Sequence, residues 1–177
     1  MKESIATVEE AFRELALKTA QMPTRASLSI LDKEGWMGAM PAYLSKAGAL
    51  TTKIVTSYEN NPARHKLPTI MAVIVLNDPE TGRTEAVLEG SYITAVRTGA
   101  VSGVATEYLA KTDATTVGIF GAGTQAQTQL EAVMVVRNVE SVLVHDIVPE
   151  KAARFSEQMS QRLRTEVRAE DDRERVA

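Results

Sequence analysis

The sequence predicts an α/β protein in two parts, an α+β layer followed by a parallel β-α-β-α-β unit. Between residues 25 and 89, short apolar segments are joined by polar turns, which is typical of a mostly antiparallel sheet. Beyond residue 112, short apolar strands alternate with helical segments, which is typical of a parallel sheet. We therefore predict an N-terminal mixed α+β domain over residues 1–112 and a second domain over residues 113–177.

The overall composition excludes several classes of function. The 177 residues carry a net charge of −3, which gives no electrostatic footprint for nucleic acid or for an anionic membrane. The chain has no cysteine, and His65 and His145 are far apart, so we predict no metal site. No apolar run approaches the length of about 18 residues that a membrane span needs. We expect a cytoplasmic protein with neither a nucleic-acid nor a membrane partner.

The first part is predicted to contain two helices and five strands. Residues 4–20 repeat apolar side chains at steps of three and four, which predicts an amphipathic helix. Residues 59–68 are predicted to form a polar loop. Ser91 is placed as the N-cap of a helix over residues 92–111, whose apolar face runs from Ile93 to Tyr108. The predicted strands span residues 26–31, 36–40, 49–58, 69–76 and 83–88.

In the second part, three strands alternate with two helices. We predict the strands at 116–120, 141–145 and 165–169, and the helices at 124–137 and 149–164. Residues 170–177 are predicted to begin a further helix.

A glycine turn joins the first of these strands to the helix that follows it. Gly121 and Gly123 occupy the first two glycine positions of a dinucleotide-binding pattern, and Ala126 takes the third, where a small residue allows helix and strand to pack closely. Backbone N–H groups and the positive end of the helix dipole meet there, which suits a pyrophosphate. The pattern therefore predicts the first half of a Rossmann domain, although a tight turn without a ligand is the simpler alternative.

Asp146 follows the second strand at close to the spacing of about 20 residues at which an acid receives the ribose hydroxyls. No arginine follows within the next three residues, which favours NAD over NADP. An acid that merely caps a turn at the end of the strand is the alternative interpretation.

Three cations of the first part lie beside small or apolar residues rather than in charge runs. These are Arg25, Lys53 and Arg97, the last followed by Thr98 and Gly99. A guanidinium on such a face needs a carboxylate or phosphate partner. From the spacing alone, an ordinary ion pair or a solvated side chain is the better explanation of each.

Two segments in combination resemble the ornithine cyclodeaminase/mu-crystallin family, which includes archaeal-type alanine dehydrogenases. They are Glu89-Gly-Ser-Tyr-Ile-Thr-Ala-Val-Arg-Thr-Gly-Ala100 and Gly121-Ala-Gly-Thr-Gln-Ala126. Met22-Pro-Thr-Arg25, Ala39-Met-Pro-Ala-Tyr43 and Leu67-Pro-Thr69 follow the family in the same order, so the resemblance covers nearly the whole chain.

The resemblance implies an NAD-dependent enzyme that acts on a small amino acid or its imine, as an ornithine cyclodeaminase, an alanine dehydrogenase or a ketimine reductase does. It further implies a homodimer formed through the N-terminal domain. Arg25, Lys53 and Arg97 fall where the family binds the substrate, with Lys53 taking part in catalysis. The implied cofactor-binding residues are Thr98, Gly121, Gly123, Thr124, Gln125, Ala126 and Asp146.

The chain also departs from the family pattern. Thr56-Ser57-Tyr58-Glu59 replaces an Asn-x-His-Pro segment, and Gly38 stands where alanine dehydrogenases often have arginine. Only half of a doubly wound sheet is legible, and the family places a catalytic aspartate in the other half. We therefore expect a truncated member with an exposed edge on its first parallel strand. A non-catalytic, crystallin-like ligand-binding protein or an inactive fragment is the alternative function.

Overall fold

The computed structural model describes residues 1–177, which fall into two compact units. One unit contains residues 10–94, and the other contains residues 1–9 and 95–177. Helix α1 (Lys2–Ala16) and helix α3 (Ser91–Leu109) contribute residues to both units. The domain boundary predicted at residue 112 stays a prediction.

The unit of residues 10–94 is built on a six-stranded antiparallel sheet, as the alternation of apolar segments and turns predicts. The strand order is β1-β3-β4-β5-β6, and β2 pairs with β3 as well. The strands are β1 (Ala20–Gln21), β2 (Ala26–Ile30), β3 (Gly35–Leu44), β4 (Ala49–Tyr58), β5 (Ile70–Asn77) and β6 (Thr84–Glu89). A short helix α2 (Asn61–His65) lies in the segment predicted to be a loop.

A buried carboxylate ties α1 to the hairpin between β3 and β4. Glu14 is only 1% exposed, and its two oxygens accept hydrogen bonds from the backbone N–H groups of Lys46 (3.1 Å) and Ala47 (3.0 Å). The Thr19 hydroxyl donates a third bond to this carboxylate. A buried charge is tolerated when its hydrogen bonds are satisfied in this way, so Glu14 fixes the hairpin turn rather than forming a reactive site.

The other unit contains the predicted parallel sheet, in the order β7-β8-β9. Its strands are β7 (Thr116–Phe120), β8 (Ser141–His145) and β9 (Glu166–Ala169), and its further helices are α4 (Thr124–Val136) and α5 (Pro149–Leu163). The core beneath the sheet buries apolar residues of β8, β9, both helices and the connection between α4 and β8, which are Leu130, Val139, Val142, Val144, Ala152, Phe155, Met159 and Val167. This is the β-α-β-α-β half of a Rossmann fold.

Small residues bring α3 and α4 into close contact. A Cβ atom added to Gly99 would lie 2.6 Å from the carbonyl carbon of Thr128, so only glycine fits there. The Thr128 hydroxyl donates a buried hydrogen bond of 2.9 Å to the carbonyl of Ala95. Gly99 therefore admits a closely packed neighbour, which is the helix that begins at the glycine turn.

Three predicted details of the helices are wrong. The first helix ends at Ala16 rather than residue 20, because Lys18 adopts a left-handed conformation (φ 58°). Ile93 and Tyr108, placed on the apolar face of α3, are 39% and 62% exposed. Residues 170–177 contain only a 3-10 turn at Arg173–Arg175 instead of the start of an α-helix.

Strand β7 lies at one edge of the parallel sheet, with β8 as its only partner strand. Val176, itself buried, packs on one face of β7 at Gly118, and Phe120 at the end of the strand is 59% exposed. The unpaired strand edge expected from the sequence is therefore present. None of the helices has the length and apolar character required to cross a membrane.

Candidate functional site

The glycine turn after β7 has the geometry of a ligand cradle. Gly121 has φ +93°, a conformation that favours glycine, and its N–H donates a 2.7 Å hydrogen bond to the carbonyl of His145. A Cβ atom added to Gly121 or to Gly123 would meet nothing within 4 Å. The two glycines therefore leave open space above the turn, where a backbone-bound ligand can approach.

The start of α4 offers hydrogen-bond donors to such a ligand. Gly123 is the N-cap residue and supplies no side chain to cap the first turn. The first N–H groups of a helix have no partners within the helix, so they remain available to an anion. Ala126 packs against the core of the sheet, which is the role of the small residue at the third position.

A groove of about 340 Å³ runs beside the turn, along the β7 edge. The Oε1 atom of Gln125 is buried without a hydrogen-bond partner, and Gln125 lines this groove. A buried unsatisfied oxygen is unusual and fits a site whose ligand donates to it. Ser102 of α3 and Gln129 of α4 line the same groove and were not singled out from the sequence.

Asp146 holds the glycine turn in place. Its Oδ2 accepts from the N–H of Ala122 (2.8 Å), and its Oδ1 accepts from the N–H of Val148 (2.9 Å). The hydrogen bond from Ala122, followed by that from Val148, holds the pKa of the Asp146 carboxyl below its ordinary value. Each oxygen retains a lone pair, so the ionised carboxylate can still accept ribose hydroxyls.

The antiparallel sheet brings two of the three predicted cations to one region. Lys53 pairs with Met40 across β4 and β3. Arg25 directly precedes Ala26, whose partner on β3 is Ala39, the neighbour of Met40. Arg25 is exposed and Lys53 is half-buried. Arg97 belongs to the other compact unit, so a site that joins all three cations stays a prediction.

The helix that carries Arg97 and Thr98 is capped by the side chain of Glu89 and not, as predicted, by that of Ser91. The carboxylate of Glu89 accepts from the N–H groups of Ser91 (2.7 Å) and Tyr92 (3.2 Å). The Ser91 hydroxyl instead accepts from the N–H of Ala72 on β5. Hydrogen bonds from Ser91, its hydroxyl first, hold the pKa of Glu89 below its ordinary value. In the sequence, the signal for this cap was an acidic residue two positions before the helix.

Comparison with solved structures finds the same architecture. Delta(1)-pyrroline-2-carboxylate reductase of Thermococcus litoralis, solved with NADH and L-proline, superposes with a TM-score of 0.96 at 46% identity, over 99% of this chain and 54% of that one. An archaeal alanine dehydrogenase dimer with bound NAD superposes with a TM-score of 0.89 at 40% identity, over 96% and 51%.

Curated proteins of similar sequence have the same two activities in their names. Alanine dehydrogenase of Archaeoglobus fulgidus is 43% identical over 155 residues, which are 88% of this chain and 47% of the relative. Delta(1)-pyrroline-2-carboxylate reductase of Bacillus thuringiensis subsp. konkukian is 38% identical over 162 residues, or 92% and 50%. This chain spans about half the length of these relatives. The model of the ornithine cyclodeaminase/mu-crystallin family matches residues 1–177, and the chain belongs to that family.

Proposed function

We propose that the chain supplies the dinucleotide turn and the substrate-carboxylate face of an NAD-linked enzyme that transfers hydride at Cα of a small amino acid or its imine. The observation that carries the proposal is the open glycine turn at Gly121 and Gly123, held by the ionised Asp146. Solved relatives that contain NAD or NADH support the choice of cofactor.

In this proposal the residues of the turn bind and orient the dinucleotide. N–H groups at Thr124 and Gln125 receive the pyrophosphate, and Asp146 receives the ribose hydroxyls. Gly121, Gly123 and Ala126 keep the backbone close to the ligand, and Thr98 contributes a hydroxyl from α3. NAD, when bound, supplies the hydride acceptor or donor.

Arg25 and Arg97 are assigned to the substrate carboxylate, because a guanidinium forms a bidentate pair with it. Lys53 is assigned to the reacting amino group or to the water that attacks its imine, where an ammonium can hold or release a proton. Fixing the carboxylate orients the Cα–H bond toward the dinucleotide and lowers the entropic barrier to transfer.

Binding of NADH to the full chain, measured by calorimetry, tests the proposed turn. Gly123 has φ −88°, so Gly123→Ala adds a methyl group to the cradle without backbone strain. We expect this variant to keep its melting temperature and to bind NADH at least about tenfold more weakly, which corresponds to a loss of about 1.4 kcal/mol of binding free energy.

Gly82→Ala serves as the control, because Gly82 has φ +73° and open space around it but lies in the turn between β5 and β6. It should lose stability and keep its NADH affinity. Absence of NADH binding to the parent chain, or equal affinity in Gly123→Ala, contradicts the proposal.

We also propose that residues 10–94 form a homodimer through the sheet face opposite Lys53. The register places Leu28, Ile54 and Val87 on that face, and these side chains are 60%, 37% and 65% exposed. Contiguous exposed apolar surface marks protein interfaces. Sedimentation equilibrium of the parent chain should give a dimer, and Val87→Lys should shift it toward monomer. A parent chain that is monomeric at micromolar concentration contradicts this assignment.

A further inference from the structure

A polar cavity of about 370 Å³ lies within the unit of residues 10–94, and we call it the α2 cavity. It is bounded by the 3-10 turn Leu31–Lys33 after β2, by the last residue of β4 and by helix α2. Its volume is in the range of cavities that hold small molecules. The lining side chains that matter here are Asp32, Lys33, Tyr58, Asn60, Arg64 and His65.

The phenol ring of Tyr58 forms one wall of the α2 cavity. Tyr58 is the last residue of β4 and pairs with Gly35 on β3. A Cβ atom added to Gly35 would contact this ring, with Cδ1 at 2.8 Å. The ring therefore occupies the space that a side chain at position 35 would take. A ring held in this way offers a flat apolar surface beside the polar groups of the cavity.

A single carboxylate orients the donors of helix α2. Oε2 of Glu34 accepts a 2.9 Å hydrogen bond from Nδ2 of Asn60 and lies 3.1 Å from Nη1 of Arg64. A guanidinium has five N–H donors, so this contact leaves several of them for another acceptor. The side chains of Arg64 and Glu34 are both more than half exposed, and an exposed ion pair is a weak competitor for a ligand.

The lining of the α2 cavity has more cations than carboxylates. Lys33 and Arg64 are positive, Asp32 is negative, and the imidazole of His65 can donate in either of its protonation states. Nζ of Lys33 lies 3.5 Å from Asp32, and these two side chains are 70% and 75% exposed. Such a pair contributes little stability, so a ligand with several charged oxygens can replace it.

We propose that the α2 cavity binds a phosphate monoester, with the phosphate dianion on Arg64 and Lys33 and the ester group against the ring of Tyr58. A guanidinium forms two parallel hydrogen bonds with phosphate oxygens, and an ammonium adds a point charge. The ring gives the ester group an apolar surface. This site goes beyond the proposed function, because it contains no residue assigned to the dinucleotide or to the amino-acid substrate.

Calorimetric titration of the full chain with inorganic phosphate and with phenyl phosphate tests the proposal. Both ligands should bind, because both supply the dianion. Phenyl phosphate should bind about threefold more tightly or better, since its ring adds an aromatic contact with Tyr58. Tyr58→Leu removes that contact, so it should bring the two affinities within about twofold of each other.

Three variants test the anion contacts. Arg64→Ala should weaken the binding of both ligands at least about tenfold, as loss of a hydrogen bond between charged groups requires. Arg83→Ala is the matched control, because it removes the same charge from an exposed position between β5 and β6. It should change affinity less than about twofold, because salt screens distant exposed charges. Glu34→Gln keeps an oxygen for Asn60 but removes the charge that competes for Arg64, so it should tighten binding.

The results distinguish this site from the glycine turn, which is also expected to bind phosphate groups. Gly123→Ala should bind phenyl phosphate as the parent chain does, whether or not NADH binds to the chain. A tenfold loss in Arg64→Ala together with tighter binding in Glu34→Gln supports the site. Absence of phosphate binding, equal losses in Arg64→Ala and Arg83→Ala, or a loss confined to Gly123→Ala contradicts it.

Discussion

Replacing Gly99 by alanine should separate α3 from α4. The added Cβ would lie 2.6 Å from the carbonyl carbon of Thr128 and 2.9 Å from its Cβ. Carbon atoms in contact prefer about 3.5 Å or more, so the helices must move apart by about 1 Å. The obstacle is backbone, which no rotamer change can remove.

The expected loss of stability in Gly99→Ala follows from three contributions. Overpacking against a fixed backbone costs about 3 kcal/mol, the upper part of its usual range. Strain on the buried hydrogen bond from Thr128 to Ala95 adds about 1 kcal/mol. Alanine gains about 1 kcal/mol over glycine in a helix. The net loss is about 3 kcal/mol, and Tm should fall by about 6–12 °C.

Gly103→Ala is the matched control on the same helix. Its added Cβ would meet the end of the buried Ile5 side chain at 2.8 Å and the Cβ atom of Ala132 at 3.2 Å, so the obstacle is side chain rather than backbone. The gain in helix propensity then offsets the remaining strain, so stability should stay within about 0.5 kcal/mol of the parent. Circular dichroism during thermal and urea unfolding measures both variants. The reasoning is refuted if Gly99→Ala is as stable as Gly103→Ala.

Two further predictions concern groups that stabilise the unit of residues 1–9 and 95–177. The folded-state pKa of Asp146 lies below its unfolded value, so its stabilising effect is complete above about pH 4 and is lost as pH falls through the folded value. The stability difference between the parent and Asp146→Asn should therefore stay constant from pH 5 to 7 and shrink in acid, and a difference that peaks in acid would contradict this. The guanidinium of Arg137 donates hydrogen bonds to the carbonyls of Thr106 (2.8 Å), Glu107 (3.1 Å) and Ala110 (3.2 Å) at the end of α3. Arg137→Lys keeps the charge but loses the forked N–H donors of the guanidinium. The free energy of unfolding in urea should therefore fall by about 1–2 kcal/mol, and a fall of less than about 0.3 kcal/mol would contradict the prediction.

Strands were predictable where an apolar run ends at turn residues on both sides. The bounds predicted for β4, β7 and β8 agree with the structure to the residue. The helix α2 could not be predicted in the same way, because its five residues begin with Asn-Pro and carry no apolar periodicity. Its polar composition is that of a loop, and the helix is accompanied by a hydrogen bond within the same loop, from the Asn61 amide to the carbonyl of Pro68.

The buried side of α3 was the harder prediction. On the face predicted from Ile93 to Tyr108, Ala100 and Val104 are buried as expected, whereas both end residues are exposed. The buried residues also include Thr94 and Ala95, which were not predicted. Close approach of α4 requires small side chains at the contact, so side-chain volume as well as hydrophobicity decides which residues are buried. A pattern of apolar residues alone does not carry this information.

The sequence predicted the glycine turn of the candidate site correctly, but it predicted the role of the neighbouring Asp146 less well. Gly121, Gly123 and Ala126 occupy their pattern positions, and the structure gives the turn the expected geometry. The carboxylate of Asp146 performs the simpler role weighed from the sequence, since it caps the turn through Ala122, and its ribose contact stays a prediction. Sequence spacing cannot distinguish these roles, because one carboxylate can accept from both partners.

The proposed cofactor turn and the proposed substrate residue Lys53 depend on different sets of contacts, so their binding reactions are separable. Gly121 and Asp146 are fixed by hydrogen bonds within residues 95–177, whereas Lys53 is fixed by the register of the antiparallel sheet within residues 10–94. Coupling between ligands requires a difference in free energy that both share. Gly123→Ala should therefore weaken NADH binding and leave the binding of a small carboxylate substrate at Lys53 unchanged when no NADH is present. Turnover, in contrast, requires cofactor and substrate to be bound at the same time. Separate binding of each ligand is therefore necessary for catalysis but does not demonstrate it.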